Sequence, residues 1–304
     1  MDINYELYKV FYYVAKTLSF SEASKALFIS QSAVSQSIKV LEKRLNQPLF
    51  IRSTKKVKMT KEGELLFKHI EPAINLISRG ENQILEANSL NGGQLRIGAS
   101  DTICRYYLVP FLEQFHIKYP NVHIKVTNGT SLQCVDLLES NQVDIIITNS
   151  PNKRLTTMHQ IQEIHTFHDV FVVNSNFFKI QETPVNLSTL MQYPILMLEK
   201  ASTTSEFLHG LFLQHQLDLA PAVELSSNDL LIDLAKIGLG VAFVPDFCVK
   251  QEPELTTITL VEELPARELC VVHNRNMPLN YASENFIACL TENSIESKTP
   301  HLQE

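Results

Sequence analysis

Hydrophobic residues recur at helical spacing within the first sixty residues of the chain. Four apolar positions are separated by steps of four, three and four residues, which predicts one apolar face on a helix. They are Val34, Ile38, Leu41 and Leu45. Ser30 precedes this run and can cap the helix N-terminus. The opposite face of the predicted helix carries short polar side chains and one cation: Gln31, Ser32, Ser35, Gln36 and Lys39.

A shorter helix and a basic hairpin flank this helix. Ser19 and Glu22 have the spacing of a capping box, so a helix is expected to begin there. Residues 49–51 are typical of a strand, and basic residues crowd the turn after it. This order of elements indicates a winged helix–turn–helix, which inserts one helix into the DNA major groove and lays its wing along the backbone. The candidate DNA-binding residues are Ser30, Gln31, Ser32, Ser35, Gln36, Lys39, Arg52, Lys55 and Lys56.

The charge of the chain is divided unevenly. Residues 1–60 contain ten lysines and arginines against four aspartates and glutamates, a net charge of +6. The whole chain has a net charge of −7, so residues 61–304 carry 16 basic against 29 acidic residues, or −13. A charged or serine-rich run is often only a solvated face. A basic head on an acidic body favours DNA binding instead.

With these residues in view, the segment 1–60 resembles the DNA-binding domain of the LysR-type transcriptional regulators. Two positions depart from the family pattern, because Ser24 stands where alanine is usual and Ser32 where proline is usual. Proline is favoured but not required at a first helical turn, and we hypothesise that Ser32 alters operator preference. The resemblance rests on Phe11, Ser19, Phe20, Ala23, Leu27, residues 30–35, Ile38, Leu41, Glu42, residues 49–52, Met59, Thr60 and Gly63.

A second long helix is predicted from Lys61 to Asn88. Its apolar stripe needs a partner, which the resemblance identifies as the same helix of a second subunit; the alternative is that it packs on its own domain. Pro72 removes a main-chain hydrogen bond, so a kink or break is expected near residues 68–72. The apolar stripe of this helix consists of Leu66, Ile70, Ala73, Ile74, Ile77 and Ile84.

After the helix, the Asn-Gly-Gly sequence at residues 91–93 predicts a hinge.

From residue 94 onward, apolar strands alternate with helices, which predicts parallel α/β sheets covered on both faces. This half resembles the effector-binding part of the LysR-type regulators, two α/β subdomains similar to periplasmic solute-binding proteins. The predicted fold class is α/β with an N-terminal winged helix–turn–helix and a long linker helix. The expected bounds are 1–60 for the DNA-binding domain, 61–90 for the linker (dimerisation) helix, 91–295 for the effector-binding domain (subdomain 1 about 94–161 and 267–293, subdomain 2 about 162–266) and 296–304 for a polar tail.

The effector is expected in the cleft between the subdomains, at strand ends and at helix N-termini, whose free N–H groups favour anions. The alternative is that the hydroxyl residues there only cap helices. Asp101 would repel an acidic ligand unless it pairs with Arg105, so a zwitterion or a cation stays open as the ligand. By family analogy the effector-binding residues are Ser100, Thr102, Ser131, Thr148 or Asn149, and Thr203 or Thr204.

Catalytic and cofactor motifs are missing from the sequence, so no enzyme activity, cofactor or metal is expected. Gly238 and Gly240 lack the rest of a dinucleotide-binding loop. His159, His165 and His168 have spacings that do not converge on a metal, and they are interpreted as surface and edge residues. The five cysteines form no CxxC pair and are expected to be reduced, mostly buried thiols. No run is long enough for a membrane span, and neither a membrane segment nor a signal peptide is expected.

Two functions from different classes follow from these patterns. The first is a sequence-specific, effector-controlled transcriptional regulator, cytoplasmic and nucleoid-associated in a prokaryote. Its expected partners are double-stranded operator DNA at promoters, a small-molecule effector, further copies in a homodimer or homotetramer, and RNA polymerase as an additional candidate. The second is a cytoplasmic solute-binding or enzyme domain whose N-terminal helices serve assembly only. The basic head and the polar helix face favour the first.

Overall fold

The protein is described from a computed structural model that covers residues 3–52, 57–88, 93–180, 184–200 and 202–296. It divides into two compact units, Met1–Leu90 with the turn Glu139–Gln142, and Asn91–Leu138 with Val143–Glu304. The first unit contains helices and one antiparallel hairpin. Its elements are α1 (Tyr5–Thr17), α2 (Phe20–Leu27), α3 (Gln31–Leu45), β1 (Phe50–Arg52), β2 (Val57–Met59) and α4 (Lys61–Asn88).

The core of the first unit forms where the apolar face of α3 packs against α1 and α2. Val34, Ile38 and Leu41 are fully buried there, as their spacing predicts. The N-cap predicted before α2 is also present, because the Ser19 hydroxyl accepts the Glu22 N–H at 3.2 Å. The second bond of a capping box is replaced, since the Ser19 N–H donates to the Thr17 hydroxyl and the Glu22 carboxylate accepts from Lys25. The sequence therefore identifies both helices of the helix–turn–helix from signals that lie within each helix.

Helix α4 approaches the hairpin closely at Gly63. A Cβ atom at this position would lie 2.2 Å from the Leu49 carbonyl oxygen, so only glycine fits without a backbone shift. The Thr60 hydroxyl holds the same junction by donating to the Pro48 carbonyl at 2.7 Å and accepting the Gly63 N–H at 3.0 Å. The Glu42 carboxylate on α3 accepts the Leu49 N–H at 2.8 Å. These contacts explain why Glu42, Thr60 and Gly63, which are among the residues that carry the family resemblance, suit their positions.

Helix α4 is helical at every residue from Lys61 to Asn88, so the break expected near Pro72 does not occur. Proline removes only one N–H donor, and the turns on both sides keep theirs. The apolar stripe has two different environments. Leu66 and Ile70 pack into the core of the first unit, whereas Ile77 and Ile84 are 45% and 66% exposed. Packing on its own domain therefore accounts for the first half of α4, whereas large apolar side chains of the second half are exposed.

The second unit follows the predicted hinge, of which Asn91 and Gly92 lie outside the described residues. It is built from strands that alternate with helices. In chain order its elements are β3 (Gln94–Ala99), α5 (Asp101–Ile103), a π-helical turn (Cys104–Leu108), α6 (Val109–Lys118), β4 (His123–Asn128), α7 (Ser131–Glu139), β5 (Ile145–Ser150), β6 (His159–Phe167), β7 (Asp169–Val173), α8 (Leu187–Leu190), β8 (Ile195–Leu198), α9 (Thr203–Gln214), β9 (Val223–Leu225), α10 (Asn228–Lys236), β10 (Val241–Pro245), a 3₁₀ turn (Asp246–Cys248), β11 (Thr256–Thr257), β12 (Arg267–Asn274) and α11 (Tyr281–Glu296).

The strands of the second unit form two mixed sheets, in the orders β4-β3-β5-β12-β6 and β11-β7-β10-β8-β9. Strand β3 is parallel to β4 and β5, and β8 is parallel to β9 and β10. In contrast, β12 is antiparallel to β5 and β6, and β7 is antiparallel to β10 and β11. The prediction of parallel sheets therefore holds for only part of each sheet, because the strands that carry the chain between the sheets run antiparallel to their neighbours.

Several predicted bounds differ from the structure. The chain crosses from the first sheet to the second at His168, so the subdomain boundary expected between residues 161 and 162 falls inside β6. The chain returns to the first sheet at Arg267, the first residue of β12, which is the residue expected for this second boundary. The helix predicted from Tyr106 begins at Asp101, because Ser100 supplies its cap. The last helix continues to Glu296, and residues 297–304 of the expected polar tail lie outside the described residues.

Candidate functional site

The polar face of α3 is open to solvent. Ser30 caps the helix by accepting the Ala33 N–H at 3.2 Å, and its hydroxyl lies 2.9 Å from that of Ser32. Ser35 is half-buried. The face thus presents amide, hydroxyl and ammonium groups, the chemistry that recognises base edges and phosphates. The exposed candidates on it are Gln31, Ser32, Gln36 and Lys39.

The hairpin carries the remaining candidates for DNA binding. Arg52 is the last residue of β1, and Lys58 is exposed on β2. Lys55 and Lys56, predicted on the turn between these strands, lie outside the described residues. A basic turn next to a recognition helix suits the DNA backbone, where affinity comes from charge and not from sequence.

Phe28 is an exposed aromatic residue that the sequence analysis did not single out. It occupies the turn before α3 in a left-handed conformation, with φ 55°, and it is 95% exposed. The sequence signal is the apolar pair formed with Ile29, which interrupts an otherwise polar turn. Its position at the N-terminal end of α3 makes Phe28 a further candidate for a contact with DNA.

A cavity of about 260 Å³ lies in the second unit, where strand ends and helix N-termini of both sheets meet. Thr148 does not line it, because this residue is fully buried and its hydroxyl accepts a hydrogen bond from Asn152 Nδ2 at 3.1 Å. Of the paired alternatives at the end of β5, Asn149 is therefore the residue at the cavity. The predicted effector-binding residues that line the cavity are Ser100, Thr102, Ser131, Asn149, Thr203 and Thr204.

Several hydroxyls at the cavity also cap helices. Those of Ser100, Ser202 and Ser227 accept N–H groups in the first turns that follow them, at distances of 3.0 to 3.3 Å. For Ser100 both interpretations hold, because the residue caps a helix and lines the cavity. The N-termini of α7, α9 and α10 meet the same space, and each contributes the positive end of a helix dipole.

Hydrogen bonds join the two subdomains beside the cavity. Asn228 Nδ2 donates to Thr102 Oγ1 at 2.9 Å. The Tyr106 hydroxyl donates to Asp229 Oδ1 at 2.5 Å, and Arg105 Nη1 lies 3.3 Å from the same oxygen. Burial first, and this hydrogen bond second, raise the pKa of Tyr106, so the hydroxyl stays protonated and remains a donor. Arg105 is thus paired across the cleft and does not neutralise the neighbouring carboxylate at position 101.

A buried ion pair lies behind the threonines at the start of α9. Arg267 and Asp169 are each 1% exposed, and Nη1 lies 2.6 Å from Oδ2. The same guanidinium donates to the hydroxyls of Thr204 and Thr203 at 3.1 and 3.3 Å. Because Arg267 begins β12 and Asp169 begins β7, the pair links the two sheets where the chain crosses between them. No local pattern in the sequence indicates this pair, since the partners are 98 positions apart.

The described residues contain neither a group of His, Cys, Asp or Glu side chains that could hold a metal nor a helix long and apolar enough to cross a membrane. His159 lies on the edge strand β6, as predicted, but its side chain is buried and not at the surface; its ring nitrogen accepts the Thr156 N–H at 3.0 Å. His165 is half-buried against the Tyr107 ring, and burial lowers its pKa. His168 is exposed, as predicted.

The cysteines are free thiols, as the sequence predicts. Cys134, Cys248 and Cys270 are buried, and Cys104 and Cys289 are half-buried. Burial raises the pKa of Cys104 and of Cys270 to about 11 and that of Cys134 to about 12. These thiols are therefore protonated at neutral pH and are poor nucleophiles.

Two family descriptions match the chain. "Bacterial regulatory helix-turn-helix protein, lysR family" matches residues 5–64, and "LysR substrate binding domain" matches residues 88–294. A probable RuBisCO transcriptional regulator of Gracilaria tenuistipitata var. liui is 27% identical over 281 residues, which cover 90% of this chain and 91% of that protein.

Two solved structures are similar in fold. Full-length CbnR complexed with its target DNA has a TM-score of 0.68 at 17% identity and covers 96% of this chain and 100% of its own. The regulatory domain of Synechocystis CcmR in complex with 2-PG has a TM-score of 0.61 at 21% identity and covers 67% of this chain and 98% of its own.

Each of the two family matches contains one of the two candidate sites. The first contains the polar face of α3 and the hairpin, and the second contains the cavity and the ion pair behind it. The second match alone spans more than half of the sequence. The chain belongs to the LysR family of bacterial transcriptional regulators.

Proposed function

We propose that the exposed face of α3 and the basic hairpin bind operator DNA, and that a small molecule in the cavity of the second unit controls this binding. One observation carries the proposal: Thr102 from one subdomain and Asn228 from the other both line the cavity and are hydrogen-bonded to each other. A molecule bound there contacts both subdomains. It can therefore favour one arrangement of them over another.

The DNA contacts follow from the chemistry of each side chain. Gln31 and Gln36 carry amides that can donate to and accept from one base edge, a pairing that suits adenine. Ser32 adds a hydroxyl where the family usually has proline. Lys39 and the hairpin residues Arg52, Lys55 and Lys56 bind phosphates, which gives affinity without sequence preference. Phe28 packs against the sugar–phosphate backbone beside the N-terminus of α3.

A second copy of the chain covers the exposed side of α4. Four large apolar residues there fall on one side of the helix, and a row of this kind on a soluble protein marks a contact surface. A dimer places two recognition helices on half-sites about one helical turn apart, which gives the specificity that one helix lacks. Pairing of dimers makes the tetramer that the family resemblance implies. The exposed residues are Leu65, Leu76, Ile77 and Ile84.

Control by the effector requires that it bind two arrangements of the subdomains with different affinities. The contact between Tyr106 and Asp229 and the pair of Arg267 with Asp169 define the present arrangement. A change in either alters the geometry of the dimer and so the spacing of its DNA-binding heads. The bend of the DNA and its contact with RNA polymerase change in turn. No catalytic step is part of this function, which takes place at the nucleoid in the prokaryotic cytoplasm.

The proposal is tested by selecting genomic fragments with the purified full-length protein at moderate salt, with and without a pool of metabolites. A dyad-related motif is expected, together with a change in affinity or half-site spacing when the pool is added. Thr102→Val should keep the motif and weaken the response. If the protein enriches no fragment more than a control protein does, sequence-specific DNA binding is contradicted and the solute-binding alternative is favoured.

A further inference from the structure

The charges around the cavity are of one sign. Asp101 and Glu199 line it, and none of the described lining residues is a lysine, arginine or histidine. Asp101 accepts a hydrogen bond from Asn128 Nδ2 at 3.3 Å, while the nearby Arg105 is paired with another carboxylate. Two carboxylates without a cation in the lining attract a ligand that carries a positive charge.

Asn228 provides independent evidence for a ligand that donates hydrogen bonds. Its side chain is only 5% exposed and lines the cavity. Its Nδ2 is bonded to Thr102, but its Oδ1 has no hydrogen-bond partner among the described residues. Buried acceptors are normally satisfied, and an unpaired one needs an explanation. A ligand N–H group in the cavity would supply the missing donor.

Other parts of the lining suit a single negative charge. The N-termini of α7 and α9 lie at the cavity, and the positive end of a helix dipole favours a carboxylate. The hydroxyls of Thr203 and Thr204 lie at the start of α9, and Arg267 behind them is already balanced by Asp169. Among the described residues that line the cavity, there is therefore no guanidinium or ammonium to balance a second negative charge, as on a phosphate monoester.

We infer that the effector is a small zwitterion of the amino-acid class, with an ammonium and a carboxylate on one short skeleton. This inference rests on the proposed role of the cavity as the effector site. The ammonium binds Asp101, Glu199 and the Asn228 oxygen, and the carboxylate binds the N-termini of α7 and α9. A volume of about 260 Å³ suits a metabolite of this size and is too small for most drug-sized ligands.

The test is a binding screen on the full-length protein with the twenty protein L-amino acids. Each is matched with the hydroxy acid that lacks its ammonium and the amine that lacks its carboxylate, and binding is measured as a shift in melting temperature and then by calorimetry. At least one amino acid should bind, and both of its matched compounds should bind at least tenfold more weakly. A hydroxy acid that binds as tightly as its amino acid would overturn the inference, as would a panel with no binder.

Variants separate this inference from the proposal on which it rests. Asp101→Asn and Glu199→Gln should each weaken binding of the amino acid at least tenfold, while Glu224→Gln, an exposed acid outside the cavity, should not change it. Unchanged affinity in both cavity variants would overturn the zwitterion assignment. If a hydroxy acid binds and Thr102→Val abolishes its binding, the ligand class is wrong and the effector site stands. Binding that no cavity variant affects would contradict both.

Discussion

The proposed DNA-binding face and the proposed effector cavity differ in how the chain builds them. The candidates on α3 lie within ten consecutive positions, and nearly all are exposed on one helix face. The cavity instead joins residues far apart in sequence, such as Thr102 and Asn228, which are 126 positions apart. A surface that reads DNA can be presented by one helix, whereas a site that encloses a small molecule needs walls from several elements. Substitutions should therefore act locally in the first region and through packing in the second.

The largest effect is expected from Arg267→Met. This change leaves the Asp169 carboxylate buried without its partner, which costs about 3–5 kcal/mol of the free energy of unfolding. Urea denaturation of the full-length protein should show this loss in the second unit only. The double variant with Asp169→Asn serves as the control and should recover most of the stability. A loss below about 1 kcal/mol for Arg267→Met would mean that the pair is not the link described above.

On the DNA side, Gln31→Ala should relax base preference at one position of the operator. A well-placed bidentate pair discriminates between bases by about 1–3 kcal/mol. Selection from a random DNA library should show the change as a flattened position in the motif, at unchanged protein stability. Gln47→Ala is the matched control, since Gln47 is also exposed but follows the end of α3. An unchanged motif in Gln31→Ala would remove this residue from the reading face.

A smaller effect is expected from Thr102→Val, which removes the acceptor for Asn228 Nδ2 and one hydroxyl of the cavity. The loss of one hydrogen bond is worth about 1 kcal/mol, so roughly fivefold more effector should be needed for the same response. Titration of the effector against operator binding measures this shift. Thr127→Val on β4, outside the cavity lining, should respond like the parent protein. A parental response in Thr102→Val would show that this side chain does not contribute to the site.

Lys39→Ala should weaken binding to all DNA sequences alike. Loss of one phosphate contact lowers the slope of log affinity against log salt by about 1. Titrations of operator and random DNA at several salt concentrations measure both slopes. Lys43→Ala, an exposed lysine one helical turn further along α3, is the control. Equal slopes for the two variants would exclude a specific phosphate contact by Lys39.

The smallest effect concerns pH and belongs to the second unit. Burial lowers the pKa of His165 from 6.5, so the folded state binds a proton less readily than the unfolded state. Its contribution to stability is therefore present above pH 6.5 and is lost as the pH falls through the folded pKa. His165→Gln should flatten the decline in stability on acidification, measured by urea denaturation. His168→Gln, at an exposed position, should leave the decline as it is.

The features that the sequence predicts well are those with local signals. The buried face of α3, the caps at Ser19 and Ser30 and the bounds of α4 depend on residues three to seven positions apart. The strands β9 and β11 have three and two residues, which is too short for a pattern to appear. The direction of β12 depends on its pairing with β5 and β6 and not on its own sequence.

Only some of the residues at the cavity can be predicted from the sequence, because the others are brought there by the folding of distant segments. Helix-capping hydroxyls can be found from spacing, and the family resemblance puts them at one cleft. Which of Thr148 and Asn149 faces that cleft depends on how the end of β5 leaves the sheet. The partner of Arg105 and the pairing of Arg267 with Asp169 require the folded chain, because charges at such separations have no local pattern.

The burial of the first turns of α4 has a consequence for cutting the chain into parts. Leu66 and Ile70 belong to the core of the DNA-binding head, and the Phe67 ring stacks on that of Tyr12 at 6.1 Å. A fragment that ends at residue 60 would therefore lose part of its own interior. The smallest fragment that keeps this interior must continue at least through Ile70, and it would then also carry Leu65, the first of the exposed residues assigned to the contact with a second copy.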